Sequence, residues 1–89
     1  MTARYTIDVS RPAEKQIRAL DPQVRARIEK RIDSLSETPR PHGCQKMHGF
    51  ENLYRVRTGD WRVVYEIRDN VLLVLVVAVR HRREVYRDF

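Results

Sequence analysis

Arg55, Arg57 and Arg62 flank a Gly59-Asp60 pair, and His81-Arg82-Arg83-Glu84-Val85-Tyr86 follows an apolar run at residues 71–79. These are residue types that grip and process phosphate. Arginine donates parallel hydrogen bonds from a planar fork and stays charged at any working pH. Tyrosine and histidine among them add groups that can move protons, and histidine does so with an ordinary pKa close to neutrality. Together they fit a surface that holds phosphate and has groups able to stabilise a phosphorane-like transition state. The same residues also have a plain reading, in which the arginines are solvated charge, Tyr86 packs on a sheet and His81 bonds a backbone carbonyl.

Other constellations are weaker. His42, Cys44 and His48 supply three ligand types in one loop, but without the paired spacing of structural zinc sites, so no metal is expected. Lys46 and His48 fit better as loop contacts to an anion. Trp61 and Tyr65 fall where core packing explains them. No Gly-rich phosphate loop, Ser-His-Asp arrangement or dinucleotide fingerprint is present, and no cofactor is expected. Two consecutive helices suggest a helix-turn-helix, but their Asp21-Pro22 joint lacks the usual short glycine turn.

Composition narrows the partner. The chain has 89 residues and a formal net charge of +6, so it is read as one domain, residues 1–89, that favours polyanions, nucleic acid first and acidic proteins second. No segment pairs a basic face with an exposed apolar one, and the nine-residue apolar run is too short to span a bilayer, so no membrane role is expected. Met1-Thr2-Ala3-Arg4 leads directly into an alternating segment, and Cys44 is the only cysteine. A cytoplasmic protein in a reducing compartment is the expectation.

The elements that must position the arginines follow from periodicity. Tyr5, Ile7 and Val9 alternate with Arg4, Thr6 and Asp8, the pattern of a half-buried strand. Ser10 suits a helix N-cap with Pro12 in the first turn, and Ala13, Ile17 and Leu20 give that short helix one apolar face. Asp21-Pro22 ends it and caps a second helix, amphipathic through Val24, Ile28, Ile32 and Leu35 to about Ser36. The outer face of that helix carries Arg25, Arg27, Lys30 and Arg31. Pro39-Arg40-Pro41-His42-Gly43 marks a loop, and strands follow. Gly59-Asp60 suits a two-residue hairpin with glycine first, Asp69-Asn70 a second tight turn, and the run at 71–79 a central strand apolar on both faces.

The fold predicted is α+β: a small β-α-α-β-β-β domain with a helical hairpin on one face of a mainly antiparallel four-stranded sheet. The hairpin register sets Thr58 opposite Trp61, Arg57 opposite Arg62 and Arg55 opposite Val64. Tyr54, Val56, Trp61, Val63, Tyr65 and Ile67 then share the helix-covered face. Arg55, Arg57 and Arg62 share the other, beside Leu73, Leu75 and Val77. Like charges directly opposite one another cost roughly a few tenths of a kcal/mol in a sheet. Stability alone does not explain Arg57 across from Arg62, so this face is expected to bind something.

Lys46-Met47-His48-Gly49, Tyr54-Arg55-Val56-Arg57, Gly59-Asp60-Trp61-Arg62-Val63-Val64-Tyr65 and His81-Arg82-Arg83-Glu84-Val85-Tyr86 resemble the RelE branch of the RelE/ParE toxin superfamily over nearly the whole chain. The resemblance implies a RelE-like fold and a toxin of a type II toxin–antitoxin system. Such toxins cut messenger RNA in the ribosomal A site without a metal, and a cognate antitoxin holds them inactive. Any contact with operator DNA would run through that antitoxin. Arg55 and Arg57 match the two basic strand positions of the family site, Arg62 the arginine after the turn, Arg82 the C-terminal arginine and Tyr86 the tyrosine. Lys46, His48, His81 and Arg83 are expected to support RNA binding. The best-known members carry lysines where this chain has Arg55 and Arg57; arginine does not give up its proton, so the base role moves toward Tyr86 or His81. The resemblance also carries two rival expectations, a ParE-like inhibitor of DNA gyrase and an inactive homologue that only binds antitoxin as a corepressor.

Overall fold

A computed structural model describes residues 4–83. Chain order is β1 (Thr6–Val9), α1 (Arg11–Arg18), α2 (Pro22–Ser34), β2 (Gln45–Lys46), β3 (Leu53–Thr58), β4 (Trp61–Arg68) and β5 (Leu73–His81). The strands form one sheet in the order β1-β5-β4-β3-β2, with β1 parallel to β5 and the other pairs antiparallel. The α+β arrangement is therefore the expected one, with a fifth, two-residue strand at the edge. Gln45 and Lys46 pair with Arg55 and Tyr54 in a segment too short to show any alternation.

Both helices start where their caps place them. Ser10 Oγ accepts from the Ala13 N–H at 3.3 Å, and Asp21 Oδ2 accepts from the Gln23 N–H at 3.2 Å, each ahead of a proline in the first turn. Their apolar stripes meet the sheet on one side only. Ala13, Ile17, Ile28, Ile32 and Leu35 pack there on Val56, Val63, Tyr65, Ile67, Val74, Val76 and Val79. Tyr65 is wholly buried, so its hydroxyl needs a partner, and it donates to the Pro39 carbonyl at 2.8 Å. Burial pushes this phenol well above the usual tyrosine range, and the neighbouring Cys44 adds to the shift.

The β3–β4 hairpin has the expected register, with Arg57 across from Arg62 and Thr58 across from Trp61. Gly59 takes φ +60°, which a residue with a side chain rarely adopts. The second connection departs from a two-residue turn: Asp69–Val71 form one 3-10 turn, and Leu72 follows in the left-handed region at φ 51°. Among the described residues, no helix is long and apolar enough to cross a membrane.

Strand β5 holds the main departure from simple alternation. Tyr65 pairs with Val76 and Val64 with Ala78, so Val77 is an extra residue, a β-bulge. The backbone groups around it are satisfied from α1 and its cap. The Val79 N–H donates to Gln16 Oε1 at 2.8 Å, and the Ser10 hydroxyl donates to the Val77 carbonyl at 3.2 Å. Strict alternation places Leu73, Leu75 and Val77 on the arginine side. The bulge corrects this: beyond Leu75, that side continues through Ala78 and Arg80, while Val79 and His81 turn to the helix side.

Candidate phosphate-binding site

The bulge lengthens the arginine cluster. Arg57 pairs with Arg62 and Arg62 with Arg80, so three arginines lie in one row across β3, β4 and β5. The adjoining row on the same face runs Gln45, Arg55, Val64, Ala78. Neither helix lies on this side, since both pack on the opposite face. A concavity of about 320 Å3 opens over the floor, lined by Gly43, Gln45, Arg55, Arg57 and Arg62.

Neutral acceptors orient the guanidinium groups. Gln45 Oε1 accepts from Arg55 Nε at 3.2 Å and from Arg55 Nη2 at 2.7 Å. Arg57 Nε donates to the Gly59 carbonyl at 3.2 Å, and Arg62 Nη1 to the Trp61 carbonyl at 3.4 Å. A guanidinium carries five N–H donors, so Arg57 and Arg62 keep most of theirs, with full charge, for an incoming anion. A row of fixed cations on a rigid sheet can hold a phosphate and stabilise added negative charge without rearranging. None of these groups can accept a proton at neutral pH, so the floor supplies charge and orientation but no base.

The other residues singled out from sequence lie elsewhere or differ in setting. Arg82 stands at the hairpin end, where its N–H donates to the Asp60 carbonyl at 2.7 Å and its Nη1 lies 3.9 Å from Asp60 Oδ1. His81 is on the opposite face from the arginine row, edge-on to Trp61 with ring centroids 5.3 Å apart. The exposed Arg83 donates its N–H to His81 Nδ1 at 3.4 Å. Lys46 pairs with Tyr54, one residue out of phase with Gln45 and Arg55, and His48 is exposed in the loop between β2 and β3. Tyr86 lies outside the described residues. Among those residues, His42, Cys44 and His48 do not gather as a group able to hold a metal ion.

Gln45 and Arg80 are the floor residues that sequence reasoning missed. Gln45 carries no charge, and its strand is only two residues long. Arg80 reaches the floor only because of the bulge at Val77.

The sheet and the helical hairpin have close counterparts. A family model described as "ParE toxin of type II toxin-antitoxin system, parDE" matches residues 7–86. The mRNA interferase toxin RelE of Escherichia coli (strain K12) is 32% identical over 88 residues, spanning 94% of this chain and 92% of that protein. The chain belongs to the RelE/ParE toxin superfamily. It is a RelE-type member, a toxin of the type II toxin–antitoxin class. Toxin RelG of Mycobacterium tuberculosis is 27% identical across 93% of this chain and 97% of its own length. Among solved structures, the isolated E. coli RelE toxin superposes with a TM-score of 0.77 at 30% identity, covering 94% of this chain and 93% of that one. The toxin in the intact E. coli RelBE toxin–antitoxin complex gives 0.77 at 28% identity, covering 86% and 95%. In this RelE-type toxin the sheet face opposite the helices thus carries Arg55, Arg57, Arg62 and Arg80 toward the β3–β4 turn and the ion-paired Glu66 and Arg68 toward the other end.

Proposed function

We propose that this RelE-type toxin is an endoribonuclease that cuts messenger RNA at A-site codons on the ribosome and that a cognate antitoxin neutralises it. The observation that carries this reading is the row Arg57, Arg62 and Arg80, with Arg55 beside it, on the sheet face that no helix of the described residues covers. The relative named mRNA interferase supports the same reading, and the RelBE complex supports an antitoxin partner.

In the proposed reaction the RNA 2′-hydroxyl attacks the adjacent phosphorus as the bond from phosphorus to the 5′-oxygen breaks. The products are a 2′,3′-cyclic phosphate and a 5′-hydroxyl end. One proton leaves the 2′-oxygen and one reaches the departing 5′-oxygen. Arg57 and Arg62 hold and neutralise the phosphate, and Arg55, braced by Gln45, orients it. Arg82 stabilises the leaving oxygen and Tyr86 assists proton transfer. Charge from the arginine row takes the part a metal ion plays in other nucleases, so the reaction is proposed to be metal-independent. A floor with charge but no base also gives the ribosome a role, namely holding the RNA for in-line attack.

Primer extension on a defined message in a purified translation system tests this. The expected result is cleavage at A-site codons that requires both toxin and ribosomes, persists in chelator and stops when antitoxin is added. Intact message under all conditions would remove the nuclease reading.

A second reading has one specific observation in its favour: the matching family model is that of the ParE toxin. A ParE-like activity would block supercoiling by DNA gyrase while leaving the message whole, so the same preparation assayed on gyrase separates the two.

A further inference from the structure

Helix α2 sorts its charges onto two flanks. Arg25, Glu29 and Asp33, at spacings of four, line a groove with α1 and β1 in which both signs are mixed. Arg27, Lys30, Arg31 and Ser34, at helical spacings of three, one and three, line a different groove of about 420 Å3 together with Arg57 and Thr58 of β3. Among the described residues, no carboxylate lines this second groove. Lys and Arg at i, i+3 and i, i+4 on one helix face repel one another, so helix stability does not account for the arrangement.

Two further observations mark the groove as a place for an anion. Arg31 Nε and Thr58 Oγ1 are buried there without a hydrogen-bond partner. Both can donate, and a buried donor left unsatisfied is costly. Both atoms are shielded from solvent, so a phosphate in the groove meets the exposed Arg27 and Lys30 first and reaches these donors only through side-chain rotation. The groove also joins the arginine floor. Strand β2 pairs only with Tyr54 and Arg55, so among the described residues the outer side of β3, away from β4, has no strand along it from Val56 to Thr58. Arg57 sits on that edge and lines both concavities, the floor on one face and the α2 groove on the other.

From this we infer that the groove between α2 and the edge of β3 is a second phosphate subsite, gripping the RNA strand next to the phosphate held on the floor. The inference rests on the reading of the floor as an RNA site. The lining favours RNA over an acidic protein segment. Among the described lining residues all six side chains carry a cationic or hydroxyl group, set over aliphatic stems, and the four cations suit a sugar–phosphate backbone. Arg57 is the hinge of the track, shared by successive phosphates.

The test measures binding of the full-length toxin to a single-stranded RNA oligonucleotide made uncleavable by 2′-deoxyribose, by fluorescence anisotropy over a range of salt. The variant is Arg27→Gln with Lys30→Gln, two exposed positions where glutamine preserves helix propensity. Arg18→Gln with Arg25→Gln, on the other groove, removes the same charge. For single strands, each lost phosphate contact lowers the slope of log K against log salt by about 0.7, so the first variant should lose about 1.4 and bind several-fold more weakly whatever the sequence. The control should keep the wild-type slope. Equal losses in both variants, or no loss in the first, overturn the subsite. Unchanged RNA binding with weakened capture of an acidic antitoxin peptide overturns it in favour of a protein occupant. The nuclease reading fails separately, through uncut message with the wild-type toxin, and a slope change in that case still assigns the groove to RNA.

Discussion

Arg40 and Arg62 stand at opposite ends of β4, and their surroundings differ in kind. Arg40 donates through Nη1 and Nη2 to the two carboxylate oxygens of Asp69, at 3.1 and 2.8 Å, and through Nε to the Tyr54 hydroxyl at 3.2 Å. It also lies over the Tyr54 ring, 5.1 Å from its centroid, and the Tyr5 hydroxyl donates to Asp69 at 2.6 Å. The Arg40 guanidinium and the Tyr5 hydroxyl hold the Asp69 carboxyl down at about 2. Arg62 donates one N–H to a backbone carbonyl and faces Arg57 and Arg80 across the sheet. Residue type is the same at both ends. An arginine whose fork is matched to an internal carboxylate ties the loop after α2 to the sheet, whereas Arg57 and Arg62, which each donate to a backbone carbonyl, keep donors for something outside.

This contrast can be broken most sharply at Arg62. Arg62→Ala should lower ribosome-dependent cleavage by about 10²- to 10³-fold, the usual cost of losing one preorganised donor, with thermal unfolding close to wild type. A variant that cuts normally would detach the floor from the chemistry. Arg80→Ala tests the row as the bulge builds it. Loss of one charge-assisted contact, about 1.5–3 kcal/mol, predicts roughly 10- to 100-fold slower cleavage in the same primer-extension assay.

Changes at the other end should act on stability and spare cleavage. Tyr65→Phe leaves the Pro39 carbonyl without its donor and should cost about 1–3 kcal/mol in urea unfolding, while the message is still cut at 25 °C. Asp69→Asn should have the smallest effect, because its ion pair is half exposed. Its signature is in pH. A carboxyl whose folded pKa is depressed stabilises the fold above its ordinary value of 3.8 and loses that contribution as pH falls toward about 2. Melting curves through that window should therefore fall less steeply for Asp69→Asn than for the wild type. Equal slopes would mean that Arg40 does not hold the loop.

Much of this molecule is legible in the chain because the relevant interactions are local. Ser10 and Asp21 start the helices, each before a proline, and a glycine at φ +60° sets a two-residue turn that pins Arg57 opposite Arg62. Those residues and the alternation of β3 and β4 suffice to place three arginines on one face. The hairpin motif from Gly59 to Tyr65, together with His81-Arg82-Arg83-Glu84-Val85-Tyr86, suffices to suggest the superfamily. What escaped is whatever depends on partners distant in sequence. Gln45 braces Arg55 only because a two-residue strand pairs there, and nothing in two residues announces a strand.

By itself, then, the sequence determined the hairpin register, the helix starts and the shared face of Arg55, Arg57 and Arg62, since each follows from turn chemistry or from a period of two or 3.6. Tertiary structure decided which C-terminal residues join that face. An uninterrupted β5 would have sent His81 to the arginines and Arg80 to the helices. The extra residue Val77, held by Ser10 and Gln16 sixty and more positions earlier, exchanges them. A one-residue insertion inverts every side chain beyond it, and whether it forms depends on hydrogen bonds that close only when α1 docks beside the strand.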